Sequence, residues 1–277
     1  MDTGKRRPGI GRAAGAPTGR AAAGAKPGPK GNLPRPRGFC RRGPRAKILP
    51  MPTPFLRALA LAPAAPVVPV PLGAPSAARL DFTAANPLLT PEALRDTPAF
   101  DALVQQMLAA QHATAGLGGY LENRVIYRRS AHFGAAEGVR SLHLGVDVWV
   151  PAGTPVAAPL PATVHSLADN NNFGDYGPTV ILEHELAGTT FYSLYGHLGR
   201  AEWGALRPGQ ALAAGETFAT VGPYPENGDW PPHLHFQLML DLQGRQGDFP
   251  GVARPDERAQ WAARCPDPNL LLRSPLL

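Results

Sequence analysis

Two short strings carry the residue types of a metal site. His143-Leu144-Gly145-Val146-Asp147 sets an imidazole four residues from a carboxylate, and His233-Leu234-His235 sets two imidazoles two apart. Between them lies a further histidine, in Tyr195-Gly196-His197-Leu198. This is the donor inventory of a catalytic zinc ion with three protein ligands and a fourth position left for water. Residues i and i+2 of a strand face the same side, about 6.5–7 Å apart, so His233 and His235 are expected to face one pocket. His143 and Asp147 would be neighbours on a helix, but Val146, Val148, Trp149 and Val150 favour strand, and Gly145 and Pro151 oppose helix. Fully extended, the pair would stand about 13 Å apart, too far to share one ion. The chain must therefore bend between them, and Gly145 is the natural hinge. A single HxxxD or HxH is a weak signal. Both in one chain, with Pro151-Ala-Gly-Thr-Pro-Val156 after the first and a histidine on a strand-like segment between, make a specific one.

From about Ser141 the chain reads as short strands separated by turn residues: 142–150, 155–158, 161–168, 178–186, 189–196, 209–213, 217–221 and 233–240. The expected fold is an all-β core, an antiparallel sheet sandwich with a set of groove-lining loops. One amphipathic helix and a disordered N-terminal arm precede it. Thr97 as N-cap with Pro98 behind it opens that helix, and Phe100, Leu103, Val104, Met107 and Leu108 form its buried stripe. Gly116, Gly118 and Gly119 are read as the loop that ends it. The polar or Pro-rich loops 169–177 and 222–232 are expected to wall a groove beside the metal. Their aromatics Phe173, Tyr176, Tyr224 and Trp230 either cap the core edges or line the cleft, with Tyr176 and Trp230 taken as substrate-binding. Tyr195, two residues before His197, is expected to share its face and reach the substrate. His112, His132, His165 and His184 read as structural or surface residues.

Composition divides the chain. Residues 1–50 hold 13 of the 27 Lys and Arg and one acid, Asp2, leaving 14 basic and 20 acidic residues in 51–277. The first fifty residues, rich in Gly, Pro, Ala and Arg, lack the apolar content to fold alone. They read as a basic arm, with translation expected to begin at Met51. Because the remainder is acidic, no nucleic acid is expected to bind through the folded domain. The expected divisions are that arm, a Pro-rich lead-in and helix (51–138), the β domain (139–242) and an irregular C-terminal extension (243–277), with a short helix near 255–264. Cys40 and Cys265 give no disulfide framework and no expected zinc role. Prolines interrupt every apolar run before 80, so no transmembrane segment is expected. A clear signal peptide is also lacking, which favours a cytoplasmic location, or a periplasmic or extracellular one for a wall hydrolase.

The strings His143-Leu-Gly-Val-Asp147, Val150-Pro-Ala-Gly-Thr-Pro-Val156, Tyr195-Gly-His197-Leu, Arg207-Pro-Gly-Gln210 with Gly215, Thr220-Val-Gly222 and Pro232-His-Leu-His-Phe236 occur in one order over roughly 139–242. In these the chain resembles the lysostaphin-like (LytM-type) zinc metalloendopeptidases. Its bulky Glu226–Pro232 segment and Gln237 resemble the variant fused to kinase and aminotransferase domains. The resemblance implies one Zn2+ per chain on His143, Asp147 and His235, and His197 and His233 as the non-ligand catalytic pair; spacing alone does not choose between the two histidines of HxH. With no HExxH helix to bring a glutamate base, those two histidines are left to handle the proton and the oxyanion. The implied activity is hydrolysis of peptide bonds, in peptidoglycan cross-links or in another peptide or amide substrate. The alternatives are an intracellular amide or small-peptide hydrolase and a non-catalytic scaffold or activator of a wall hydrolase.

Overall fold

The structure is a computed structural model, and it describes residues 53–135 and 138–277. The basic arm, the start read at Met51 and Cys40 lie outside the described residues. The described residues form one compact unit.

The Pro-rich lead-in, for which no helix before the one at Thr97 is expected, opens with one, α1 (Thr53–Leu61). Pro54 sits in its first turn, where a missing N–H costs nothing. Phe55 and Leu59 of α1 are buried in the main core, the Phe55 ring meeting Phe191 edge-on at 5.4 Å. Strand β1 (Ala77–Leu80) follows, then α2 (Thr97–Ala109) and β2 (Ala115–Gly118). The cap of α2 is Asp96 rather than Thr97: its carboxylate accepts from the Ala99 N–H at 2.8 Å. The Thr97 hydroxyl is buried and donates to the Asp229 carbonyl. Gly116 and Gly118 are in strand, not loop. A Cβ at Gly116 would lie 2.5 Å from Leu80, and one at Gly118 would lie 2.4 Å from the Arg124 guanidinium, so only glycine admits these neighbours.

A small hairpin, β3 (Gly134–Ala135) and β4 (Gly138–Val139), leads into β5 (Leu142–His143) and β6 (Val146–Trp149). Then come β7 (Pro155–Ala157), β8 (Ala162–Asn170), β9 (Gly177–Leu186) and β10 (Thr189–Gly196). After a short helix, α3 (Arg200–Trp203), β11 (Ala211–Leu212), β12 (Thr217–Thr220) and β13 (Leu234–Met239) follow. The C-terminal extension contributes β14 (Val252–Ala253), α4 (Arg258–Ala262) and α5 (Asn269–Leu272). The strand-rich core is as expected. Its eight-stranded sheet runs β1-β2-β6-β13-β10-β9-β8-β11, and it is mixed because β1 and β2 pair in parallel while the other neighbours are antiparallel.

Strand alternation sorts core from chemistry. On β6, Val146 and Val148 join the main core; on β13, Leu234, Phe236 and Leu238 do the same. Asp147, Trp149, His235 and Gln237 therefore face the other way, and Asp147 lies directly opposite His235 in the register.

One buried polar chain lies apart from these residues. His184 donates through Nδ1 to the Pro161 carbonyl at 3.1 Å and accepts through Nε2 from Ser193 Oγ at 2.7 Å, and Ser193 Oγ is also hydrogen-bonded to the Tyr195 hydroxyl. Burial pulls the His184 imidazole down from 6.5 to about 4. The unfolded chain takes up this proton near 6.5 and the folded chain resists until about 4, so stability is full above 6.5 and falls as pH drops through that window. At about 1.4 kcal/mol per pH unit, the loss approaches about 3 kcal/mol. We expect His184→Gln to remove about one proton from the acid-side slope of unfolding free energy against pH, measured by urea titration between pH 7 and 4. An unchanged slope refutes the assignment.

Candidate metal centre and catalytic cavity

Three lone-pair atoms converge. His143 Nε2 lies 2.9 Å from His235 Nδ1, and each lies 3.1 Å from Asp147 Oδ1. The bend that brings the i, i+4 pair together runs through Gly145, as the extended-strand distance required. A Cβ at Gly145 would stand 2.7 Å from the His235 ring and 2.8 Å from the Phe236 carbonyl oxygen. Gly145→Ala is thus expected to push His235 off its position, costing about 1–3 kcal/mol in overpacking and at least tenfold in zinc affinity. Unfolding and competitive zinc titration of the variant check this; an unchanged zinc affinity refutes it.

The ring protons sit on the far nitrogens. His143 Nδ1–H donates to the Gly119 carbonyl at 3.1 Å, and His235 Nε2–H donates to Gln237 Oε1 at 3.0 Å. The Gln237 amide is oriented in turn by donating to the Pro250 carbonyl. The remaining ring nitrogens, His143 Nε2 and His235 Nδ1, turn toward Asp147 Oδ1. Burial, with the Arg124 charge, lowers the His143 imidazole to about 3, keeping the ring neutral. Burial alone would raise the Asp147 carboxyl, but the charged Arg124 guanidinium holds it well below the usual carboxylate range. Two imidazole nitrogens and a carboxylate oxygen converging at these distances suit a cation between them. Their spacing is close to the roughly 3.3 Å edge of a tetrahedron with zinc-like bonds of about 2.0–2.1 Å. The three residues fit a zinc ion.

Behind them stands Arg124, a residue the sequence pattern did not single out. Its buried guanidinium donates to Asp147 Oδ2, to Glu122 Oε2 at 2.8 Å and to the Gly119 carbonyl. That carbonyl also holds the His143 ring.

His197 and His233 approach from a second side, their rings 4.2 Å apart. Nδ1–H of His197 donates to the Asn227 carbonyl and that of His233 to the Pro231 carbonyl, each at 2.7 Å. Each Nε2 is left unprotonated, and that of His233 lies 4.0 Å from Asp147 Oδ1. Burial lowers both imidazoles, His233 to about 4, so both rings are neutral at pH 7. Trp149 stacks on His233 at 4.1 Å.

All five of these residues line a cavity of about 240 Å3, joined there by Tyr176 and Trp230. Tyr195 does not reach it. By parity Tyr195 and His197 should share a face, but β10 ends at Gly196 and His197 adopts a left-handed φ of 62°. That residue turns the His197 ring to the cavity side, while Tyr195 packs in the main core against Phe218 and Phe236. Phe173 is half exposed beneath the Arg129 guanidinium. His132, read as a structural or surface residue, lines the cavity wall. Cys265 is buried; it accepts a weak hydrogen bond from Gln237 at 3.6 Å and stands behind His235 rather than beside it.

Residues 141–248 match the model of Peptidase family M23. The M23 segment thus contains His143, Asp147, His197, His233 and His235, while Arg124 lies before it. An "Uncharacterized metalloprotease" of Haemophilus influenzae is 33% identical over 99 residues, which are 36% of this chain and 19% of that relative. The chain thus spans about a fifth of the relative's length. Among solved structures, the catalytic domain of lysostaphin from Staphylococcus simulans is 23% identical with a TM-score of 0.30, over 43% of this chain and 80% of that one. A zinc-containing peptidase from Vibrio cholerae is 24% identical with a TM-score of 0.29, over 37% and 28%. Among the described residues, no helix is long and apolar enough to cross a membrane.

Proposed function

We propose that the chain is a zinc-dependent peptidase that hydrolyses an amide bond in peptides of the peptidoglycan type. The observation that carries this reading is the approach of three metal-ligating atoms to 2.9–3.1 Å beside two further buried histidines. His143, Asp147 and His235 would hold a zinc ion, which would supply the Lewis-acid chemistry that activates water and polarises a scissile carbonyl. His197 and His233, with free Nε2 lone pairs, accept the proton of the attacking water and return one to the leaving amine. Once protonated, either ring also donates to the developing oxyanion. The Asn227 and Pro231 carbonyls fix the tautomers that make this possible.

A second reading, hydrolysis of a small soluble peptide or amide, is favoured by the confinement of the site: the five residues are only 1–5% exposed. The test is the zinc-loaded chain on purified peptidoglycan sacculi beside a His143→Ala control, with released fragments read by mass spectrometry. Zinc-dependent release of peptide-cleaved fragments supports the first reading. No release, with cleavage of short soluble peptides, selects the second. One bound zinc and no cleavage of either refutes both and leaves a scaffold role.

A further inference from the structure

We infer that Asn227 is a positioning residue for both His197 and His233, a role in catalysis that rests on the peptidase reading above. Its side-chain amide clasps the loop 222–231, and that loop offers the two carbonyls that hold the histidine rings. Asn227 is fully buried. Its Nδ2 donates to the Gly222 carbonyl at 3.0 Å and to the Trp230 carbonyl at 2.9 Å, and its Oδ1 accepts from the Trp230 N–H at 3.1 Å. Both amide protons and the oxygen are thus spent on backbone at the two ends of one loop. Each end leads to a histidine. Gly222 N–H donates to the His197 carbonyl at 2.8 Å, and Trp230 is followed by Pro231, whose carbonyl accepts from His233 Nδ1 at 2.7 Å. The backbone carbonyl of Asn227 itself accepts from His197 Nδ1, also at 2.7 Å.

The surroundings leave the clasp little play. A Cβ at Gly222 would stand 2.4 Å from the Leu198 carbonyl oxygen, and one at Gly177 would stand 2.6 Å from the Asn227 carbonyl carbon. From outside, Thr97 Oγ1 donates to the Asp229 carbonyl at 2.8 Å and Gly174 N–H to the Gly228 carbonyl at 2.9 Å. These outer ties hold the loop without touching either carbonyl that anchors a ring. The clasp therefore bears on chemistry in a way they do not. A carbonyl can only accept, so each anchoring bond fixes the ring proton on Nδ1 and leaves Nε2 with its lone pair. If the carbonyl drifts, the proton is free to move to Nε2, and a ring in that tautomer cannot take the proton of an attacking water. Asparagine suits the place because it donates twice and accepts once. An aspartate carboxylate keeps the acceptor for Trp230 N–H but turns an oxygen toward two carbonyls.

The test compares the zinc-loaded full chain with Asn227→Asp and with Thr97→Val, which loosens the same loop from outside. Isotope-labelled histidine rings, read by long-range proton–nitrogen NMR correlation, report the tautomers, with His197→Gln and His233→Gln to assign the signals. Zinc content, kcat and KM on a cleavable peptide are measured alongside. In the parent chain both rings should carry the proton on Nδ1. Asn227→Asp should populate the Nε2–H form of at least one ring and lower kcat at least tenfold, with KM within threefold and zinc retained. Thr97→Val should lose stability but keep both tautomers, with kcat within twofold. Asn227→Ser, which removes the clasp without burying a charge, takes the place of Asn227→Asp should that variant fail to fold. Parent rings protonated on Nε2 overturn the inference whether or not any variant folds. Unchanged tautomers in a folded Asn227 variant overturn it too, as does an equal change in Thr97→Val or the loss of zinc from the Asn227 variant, since either makes the loop a general support. A zinc-loaded parent chain that cleaves no peptide overturns the peptidase reading instead, and the tautomers still decide whether Asn227 sets the two rings.

Discussion

Alanine at His143, Asp147 or His235 is expected to abolish zinc binding and activity together, whereas alanine at His197 or His233 is expected to keep zinc and lose turnover. The two groups differ in geometry, not in residue type. Each atom of the first set sits 2.9–3.1 Å from the other two, so removing any one leaves two donors for an ion that needs three from the protein. The histidines of the second set are anchored by backbone carbonyls and offer Nε2 to the cavity. Their loss removes proton transfer, worth about 10²–10⁴-fold in rate, without opening the metal site. Zinc content by mass spectrometry under native conditions and kcat on a cleavable peptide separate the outcomes. Zinc retained by His235→Ala but lost from His233→Ala would exchange the two histidines of HxH. Activity in metal-free protein would refute the metal mechanism.

That exchange is the ambiguity the sequence left open. HxH on a strand places both rings on one side, and β13 does so, but parity says nothing about which ring meets Asp147. In the register His235 stands directly opposite Asp147 and His233 lies beyond the pair, which is why the proposal puts the ion on His235. The bend at Gly145 was legible, because an extended chain cannot bring residues 143 and 147 to one ion. Tyr195 was misplaced because strand parity fails at a single left-handed residue, His197, and non-glycine residues there give little local warning. Strand β2 was hidden by its own glycines. Gly116 and Gly118 read as loop, yet they are small because Leu80 and Arg124 press against them. Local propensity reports the residue, while the reason for it lies across the sheet. Helix α1 was hidden in the same way, since its burial against Phe191 involves a partner more than a hundred residues on.

Arg124→Gln is expected to cost about 3–5 kcal/mol in stability, the scale for breaking a buried ion pair, and to weaken zinc binding about 10–100-fold, the scale for groups that orient metal ligands. The guanidinium is fully buried and lies between two carboxylates, Asp147 and Glu122. Burial alone would lower its pKa, but Asp147, with lesser help from Tyr127 and Glu122, raises it above the ordinary arginine value, so the group stays charged. It holds Asp147 by Oδ2, which leaves Oδ1 for the histidines and an ion. Its bond to the Gly119 carbonyl links that carboxylate to the peptide oxygen that fixes the His143 ring. Arginine suits this place because one planar fork reaches three acceptors; lysine presents a point charge and should not rescue the site. Adding Glu122→Gln to Arg124→Gln removes one stranded charge and should recover part of the stability. It should recover none of the zinc affinity, because Asp147 remains unheld. Urea unfolding in the presence of a chelator gives the first quantity and competitive zinc titration the second. If Arg124→Gln binds zinc as tightly as the parent chain, the guanidinium balances charge in the core and does not position the metal's carboxylate.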